Sequence, residues 1–413
     1  MNVGTENFDI AMISIHSSPL GELGTRDTGG MSVYIRELSR ELGSRGHRVD
    51  IFTRSSHRAD EHIVELAGNV RLVHLGINGN GSIPKEHLYP HLPAYFSAMD
   101  DFATGQRRFY DLIHSHYWLS GELGHRARQR WNLPHVFMFH TIGIAKNEAC
   151  SEESEPPLRI AAEQRLGRSC QRLLTAAERD RQLLKRYYGV ADKKIGVVPC
   201  GVNLDLFQPW RKSDARRRIG VDPRVPMVLY VGRIAPVKGL GRLLRAIARL
   251  KDHRMLQLVL VGGDGPHAPA TRGLRKLASS LQISDRVMFA GPVAQADLPP
   301  YYSAADLLVV SSYYESFGLV ALESLACNTP VVTTRVGAME SIIENGKNGQ
   351  LIDSPTVSSL AAGIESAIRR WWKKPAPAGQ IRESVLRFSW SNVAEAITQQ
   401  YATVLDNHRY RRN

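Results

Sequence analysis

The sequence predicts an α/β protein built from two doubly wound, Rossmann-like domains that face each other across a cleft. Three observations carry this. Short apolar runs alternate with amphipathic helices, the alternation is written twice, and DLFQPWRKSDARRRIGVDPRVP (205–226), rich in proline and charge, separates the two series. Strands this continuously apolar are buried on both faces, as in parallel sheets covered by helices. At 413 residues the chain also exceeds one ordinary core. The boundary falls in the separating stretch, giving units 1–206 and 207 onward.

The elements follow in order. FDIAMISIH (8–16) is a buried strand that opens through a glycine-containing loop into the helix MSVYIRELSRELGSRG (31–46). Strands lie near 48–53 and 70–75 and at YDLIHSH (110–116), and a helix near 121–130 leads to HVFMFH (135–140). RLLTAA (172–177) and IGVVPCGV (195–202) complete the first series. The second restarts with PMVLYVGR (226–233) and the helical GLGRLLRAIARLK (239–251). LQLVLVGG (256–263), VMFAG (287–291), DLLVVSS (306–312) and PVVTT (330–334) are its further strands.

Composition narrows the class. With 43% hydrophobic and 23% charged residues the chain reads as soluble and globular, and no apolar run approaches the roughly 18 residues of a membrane span. MNVGTENFDI lacks the basic start and apolar core of a secretory signal. Cys150, Cys170, Cys200 and Cys327 are dispersed without a CxxC, which fits a reducing cytoplasm better than a disulfide framework or a zinc site. The net charge of +13 is spread widely, with clusters at RKSDARRR (211–218) and HRYRRN (408–413). No nucleic-acid-binding signature accompanies it, so a solvated surface or phosphorylated ligands account for it.

Ligands of such sheets sit at the carboxyl ends of the strands. The first strand of the second series ends VGRIAPVKG, placing Arg233 and Lys238 ahead of a helix, where two cations and a helix N-terminus suit a diphosphate. The loop is not a P-loop, since GxxxxGK[ST] occurs nowhere. After DLLVVSS comes ESFGLVALE (315–323), with a carboxylate at each end of an apolar run. Ser316 is the expected N-cap of a helix from Phe317 to about Cys327, leaving Glu315 in the loop and Glu323 two turns in. Backbone N–H groups around Phe317, Gly318, Leu319 and Val320 suit a phosphate, and Gly318 permits close approach. Carboxylates accept from vicinal sugar hydroxyls, so two of them flanking an amide-rich turn suit a nucleotide-sugar. Gly29 and Gly30 precede the first helix in the same manner, and His140 ends a strand with Thr141 following. His114 and His116 share a strand face, but no DxD or HExxH occurs, and metal ligation is not expected.

GRIAPVKG, ESFGLVALE, the GG before the first helix and the HT of 140–141 together resemble the retaining glycosyltransferases of family GT4, with the GT-B fold. The resemblance spans essentially the whole chain. It identifies FSWSNVAEAITQQY with a terminal helix, 388–413, that crosses back onto the first domain, leaving 207–387 as the nucleotide-sugar domain. It implies that Arg233 and Lys238 hold the donor diphosphate, Glu323 the ribose and Glu315 the transferred sugar. The amides of Phe317, Gly318, Leu319 and Val320 complete the cradle with Gly29 and Gly30. His140 would touch the sugar 6-hydroxyl and turn its carbonyl to the reacting face, and Gly291 to Val293 would lie against uracil. His140, Arg233, Lys238 and Glu315 are thus the implied catalytic group, with a UDP-sugar as substrate and no tightly bound cofactor or essential metal.

Within the family, GTRDTGGMSVY, IPKEHL, YDLIHSHYWLSG, HTIGIAKN and EPPLRIAAEQRL resemble the branch that joins N-acetylglucosamine to inositol 1-phosphate, with features shared by sucrose-phosphate synthases. That branch implies Lys85, Tyr117, Thr141 and Arg159 around an acceptor phosphate. Ser32 stands where the branch has an asparagine. The alternatives are a lipid- or polysaccharide-directed transferase, a nucleotide-sugar epimerase and a nucleotide-sugar-binding protein. ERDRQLLKRYYG (178–189) could meet a membrane through Leu183, Leu184, Tyr187 and Tyr188, although core contacts are the favoured reading. A homodimer is compatible with all of these.

Overall fold

The computed structural model describes residues 6–21, 28–55, 62–77, 83–250, 255–372, 377 and 379–410. The segment 22–27 of the first glycine loop, and 411–413 of the basic tail, lie outside the described residues.

The first sheet contains β1 (Asp9–Ile13), β2 (Arg48–Arg54), β3 (Ile63–Ala67), β4 (Val70–Leu75), β5 (Leu112–His116), β6 (His135–Met138), β7 (Arg172–Thr175) and β8 (Ile195–Val197). Its spatial order is β3-β4-β2-β1-β5-β6-β7-β8. The second contains β9 (Met227–Val231), β10 (Gln257–Val261), β11 (Val287–Gly291), β12 (Leu307–Val310), β13 (Val331–Thr334) and β14 (Gly349–Ile352), in the order β11-β10-β9-β12-β13-β14. The strand order reverses at β1 in one sheet and at β9 in the other. Open parallel sheets bind ligands at such reversals, which selects the loops after β1, β9 and β12.

Every strand read from the sequence is present. Two were not foreseen, and one of these qualifies the expectation of purely parallel sheets. β3 pairs antiparallel to β4 at the sheet edge. Its five residues are half-buried or exposed, so it lacks the continuous apolar run of a central strand. β14 is four residues with only Leu351 and Ile352 apolar beyond its glycine, too weak a pattern to register.

The stretch 205–226 is also more than a linker. It contains the helix Lys212–Ile219, whose buried Arg216 donates to Asp306 Oδ2 (2.8 Å) and to the carbonyls of Ala304 (3.0 Å) and Val225 (2.9 Å). Asp306 in turn accepts from the Met227 amide at 2.7 Å, so one ionic knot ties this helix to the starts of β9 and β12. In the helix Glu178–Tyr188, Leu184 and Tyr188 are buried, and the Tyr188 hydroxyl donates to Glu163 at 2.6 Å. Its apolar side is therefore spent on the core. Among the described residues no helix is long and apolar enough to cross a membrane.

The helix Trp390–Tyr410 lies against the helix Gly30–Ser44 that follows β1. Arg45 pairs with Glu395 at 2.5 Å, the Trp390 ring meets Tyr34 edge-on at 5.6 Å, and Tyr401 reaches His114 under the sheet.

Candidate active site

The loop after β9 is shaped by its glycines. Gly239 has φ 67°, and a Cβ there would sit 2.2 Å from the Ser311 carbonyl, so the turn Pro236–Lys238 can close tightly onto the end of β12. Two bonds fix that approach: Tyr313 N–H to the Val237 carbonyl (2.8 Å) and the Ser311 hydroxyl to the Lys238 carbonyl (2.9 Å). Lys238 Nζ then meets Glu315 Oε1 at 2.5 Å, and the Ser312 hydroxyl donates to the same oxygen at 2.8 Å. Arg233 lines the same cleft, its carbonyl held by the Tyr230 hydroxyl at 2.7 Å. Among the described residues no carboxylate pairs with its guanidinium.

The start of the next helix differs from expectation. The helix is Leu319–Ala326, and its N-cap is Gly318 at φ 97°, not Ser316. A left-handed cap favours glycine, and Ser316 is engaged elsewhere: its hydroxyl donates across the cleft to the His140 carbonyl. The backbone conformation by itself accounts for a glycine at Gly318, which also lines the cleft. Phe317 points inward and packs edge-on to Phe388, so only its backbone faces the cleft. Glu323 falls in the second turn, buried. It accepts from the Tyr302 hydroxyl at 2.6 Å and lies 3.5 Å from the Gln295 amide nitrogen. Burial pushes its carboxyl upward, and those two donors oppose the rise. Val293 lines the cleft beside Pro292. Gly291 is not among the cleft's lining residues, and its carbonyl accepts from Gly262 N–H at 2.7 Å.

Facing these, Gly29 and Gly30 lead the helix Gly30–Ser44 into the cleft. A Cβ on Gly30 would come 3.3 Å from Leu319 of the opposite helix. His140 Nε2 lies 2.9 Å from His116 Nδ1, His116 packs on His114 at 4.2 Å, and His114 Nδ1 lies 2.7 Å from the Tyr401 hydroxyl. The two strand histidines do share a face; the Nδ1 of each is occupied by these partners, while the Nε2 of each is buried without a hydrogen-bond partner among the described residues. Burial holds His140 and His114 down at about 3, so both are neutral imidazoles at neutral pH. Ile142 N–H donates to the Tyr314 hydroxyl at 2.9 Å, a second bond across the cleft beside that of Ser316.

The four residues assigned to an acceptor phosphate come together, in two different states. Arg159 is almost wholly buried. It bonds Glu163 (2.6 Å), Glu155 (2.9 Å), the Tyr117 hydroxyl (3.0 Å) and the Thr141 hydroxyl (2.6 Å) and carbonyl (3.1 Å). It is therefore the bolt that orients Tyr117 and Thr141. Lys85 is half-buried, 5.9 Å from the Tyr117 ring. Tyr117 itself has φ 73°, a conformation costing a non-glycine residue roughly 1 kcal/mol or more. Its ring lies tilted against the buried His16 ring, with the centroids 4.4 Å apart. The cleft, of about 400 Å³, collects all of these with Arg233, Lys238, Glu315 and Glu323.

Sequence reasoning missed His16, Lys146, Asp180, Gln295 and Tyr314, which line the same cleft. Lys146 is paired with Glu155 at 2.8 Å and Glu153 at 3.0 Å. Asp180 is buried, and burial raises its carboxyl to about 8. HTIGIAKN contained Lys146, and the strand-ending His16 matched His140 in position. Asp180, Gln295 and Tyr314 carried no local signal.

A cleft that sets the cation–carboxylate pair of one Rossmann-like sheet against the glycine-led helix of another is that of a GT-B glycosyltransferase. Residues 28–206 match the family described as Glycosyltransferase Family 4, and residues 211–381 match Glycosyl transferases group 1. The chain belongs to the family 4 glycosyltransferases and is a retaining hexosyltransferase. It is 38% identical over 413 aligned positions to D-inositol 3-phosphate glycosyltransferase 2 of Catenulispora acidiphila, covering 97% of this chain and 96% of that one. A D-inositol 3-phosphate glycosyltransferase of Mycobacterium sp. (strain KMS) is 40% identical, over 87% and 82% of the two chains. Among solved structures, sucrose-phosphate synthase of Thermosynechococcus elongatus superposes with a TM-score of 0.88 at 32% identity, over 97% and 100%. Anabaena HepE, solved with UDP and glucose, shares the fold at a TM-score of 0.74 and 20% identity, over 96% and 100%.

Proposed function

We propose that the cleft moves a hexosyl or N-acetylhexosaminyl group from a UDP-sugar to a hydroxyl of a small phosphorylated polyol, with an inositol monophosphate the best-supported acceptor. The supporting observation is that one cleft holds both the Arg233–Lys238–Glu315 group and, opposite it, Lys85 with the Arg159-braced Tyr117 and Thr141. The relatives are named for D-inositol 3-phosphate, whereas the sequence resemblance suggested the 1-phosphate. The D-3 and L-1 positions of myo-inositol are the same carbon.

In this reading residues 1–206 present the acceptor and 207–387 the donor. Arg233 and Lys238 take the diphosphate, Glu323 the ribose hydroxyls and Glu315 the sugar hydroxyls. The bond between the anomeric carbon and the UDP oxygen breaks as the acceptor oxygen attacks on the same face. The acceptor proton passes to the departing diphosphate oxygen. This reading assigns no side chain as a nucleophile, so catalysis is positioning plus stabilisation of the leaving charge by Arg233, Lys238 and the helix N-terminus. Since the chain has no DxD, that charge is assigned to protein groups, and turnover is expected to persist in EDTA.

The test is UDP release from UDP-N-acetylglucosamine and UDP-glucose, each with inositol phosphate, fructose 6-phosphate or no acceptor. Stimulation by inositol phosphate supports the reading. Stimulation by fructose 6-phosphate alone replaces it with a sucrose-phosphate-synthase-like reaction, which the 32% identity to that enzyme favours as second choice. Stimulation by neither removes the phosphorylated acceptor.

A further inference from the structure

A contact that no motif anticipated joins the two sides of the cleft at the nucleotide end. Arg36, in the second turn of the helix Gly30–Ser44, donates through Nη2 to Gln295 Oε1 at 2.5 Å. Gln295 sits in the turn Gln295–Asp297 after β11, and its amide nitrogen faces Glu323 Oε1 at 3.5 Å. Glu323 Oε2 is taken by Tyr302. The series therefore runs from the first sheet's helix, through a glutamine of the second sheet, to a buried carboxylate.

We infer that Arg36 is a positioning residue for the donor's ribose, orienting the Gln295 amide so that its NH2 steadies Glu323 for the diol. This rests on the proposed role of Glu323 as the ribose ligand and deepens it.

The argument is one of donor and acceptor sense. A guanidinium can only donate, so it compels Gln295 to turn its carbonyl toward Arg36. The NH2 is then left for the carboxylate, which can only accept while ionised. Without Arg36, the amide's orientation in this series rests on its 3.5 Å contact with Glu323 alone, a long bond that leaves the NH2 poorly fixed. Glu37 lies 3.1 Å from Arg36 Nε and balances its charge, leaving Nη2 to act as a directed hydrogen-bond donor. Because Arg36 and Gln295 belong to opposite walls, the bond forms only when the walls are together. Ribose recognition is thereby tied to closure of the cleft.

UDP and 2′-deoxy-UDP isolate the effect, because neither depends on which sugar or acceptor the enzyme uses. Their dissociation constants are measured by calorimetry for the wild type, Arg36→Ala, Arg36→Lys and Glu323→Gln, with thermal melts confirming that each is folded. The wild type is expected to prefer UDP, and Glu323→Gln to lose that preference. Arg36→Ala is expected to reduce it about 3- to 10-fold, the worth of one oriented hydrogen bond, while Arg36→Lys retains most of it. If Glu323→Gln loses the preference and Arg36→Ala keeps it, the inference is overturned and the ribose assignment survives. Equal weakening of both nucleotides by Arg36→Ala overturns it as well, since that is the mark of a merely structural bond. If Glu323→Gln leaves the preference intact, the ribose assignment fails and the inference falls with it.

Discussion

At the residue scale, burial divides side chains that look equivalent in sequence. Lys238 and Arg159 are both cations aimed at the cleft, yet Lys238 is part-exposed and, among the described residues, its ammonium pairs with Glu315 alone, whereas Arg159 is enclosed by two carboxylates and two hydroxyls. Lys238→Ala is expected to lower turnover about 10²- to 10³-fold, the typical cost of one lost stabilising donor. Its melting temperature should stay near wild type, because Ser312 still serves Glu315. Turnover close to wild type would remove Lys238 from the diphosphate site. Arg159→Ala should behave in the opposite manner. It leaves Glu163 buried without its counter-charge, a loss of about 3–5 kcal/mol that a denaturant titration would register before any assay. Lys85→Ala, by contrast, should keep its stability and raise only the acceptor KM. The sequence could place all three cations near phosphate through their motifs. It could not say which was a ligand and which a brace, because that depends on Glu155, Glu163 and Tyr117, which fold in from other elements.

At the element scale, the decisive feature is how the chain leaves β12 and enters the helix Leu319–Ala326. Gly318 has φ 97°, and a Cβ there would meet the Met339 methyl at 2.1 Å. The Met339 tip can move aside, so the lasting cost of Gly318→Ala is the left-handed backbone, about 1–2 kcal/mol. Gly29→Ala is the control: φ is −167° and nothing lies within 4 Å of the added methyl. Melting curves should show a clear drop for Gly318→Ala and none for Gly29→Ala. A Gly318→Ala melt equal to wild type would mean the turn relaxes without strain. This turn also shows what was legible. The ESFGLVALE pattern located the site and the helix, because the apolar run after a buried strand is a local signal. The cap was misread because Ser316 is a good N-cap by type, and its hydroxyl bonds His140 across the cleft, which no local pattern encodes. β3 and β14 were missed for a related reason: edge strands of four or five residues are specified by their neighbours rather than by their own alternation.

At the scale of the whole molecule, the buried histidines make the two-sheet assembly sensitive to acid. His114, His135 and His140 are each held down at about 3 by burial, and His16 and His116 are lowered too. A group depressed on folding contributes stability that is complete above its unfolded value, near 6.5. That contribution is lost as pH falls through the folded value, because the unfolded chain binds the proton first. Asp180, raised by burial to about 8, works in the reverse sense: its contribution is present below the unfolded value, near 3.8, and is lost as pH rises through 8. Glu323 shifts in the same direction as Asp180. Between pH 6.5 and 4 the histidines outnumber the two acids, so the acid loss dominates, while between 6.5 and 8 Asp180 acts with little opposition. The melting temperature is therefore expected to peak near pH 6.5, fall steeply toward pH 4 and decline gently toward pH 8. Asp180→Asn should flatten the alkaline side and, by removing a group that opposes the histidines below pH 6.5, make the acid limb steeper. Scanning fluorimetry from pH 4 to 9 decides the matter: a melting temperature unchanged between pH 6.5 and 4.5 would mean that these imidazoles take up protons within the fold, and that the sheet does not hold them neutral.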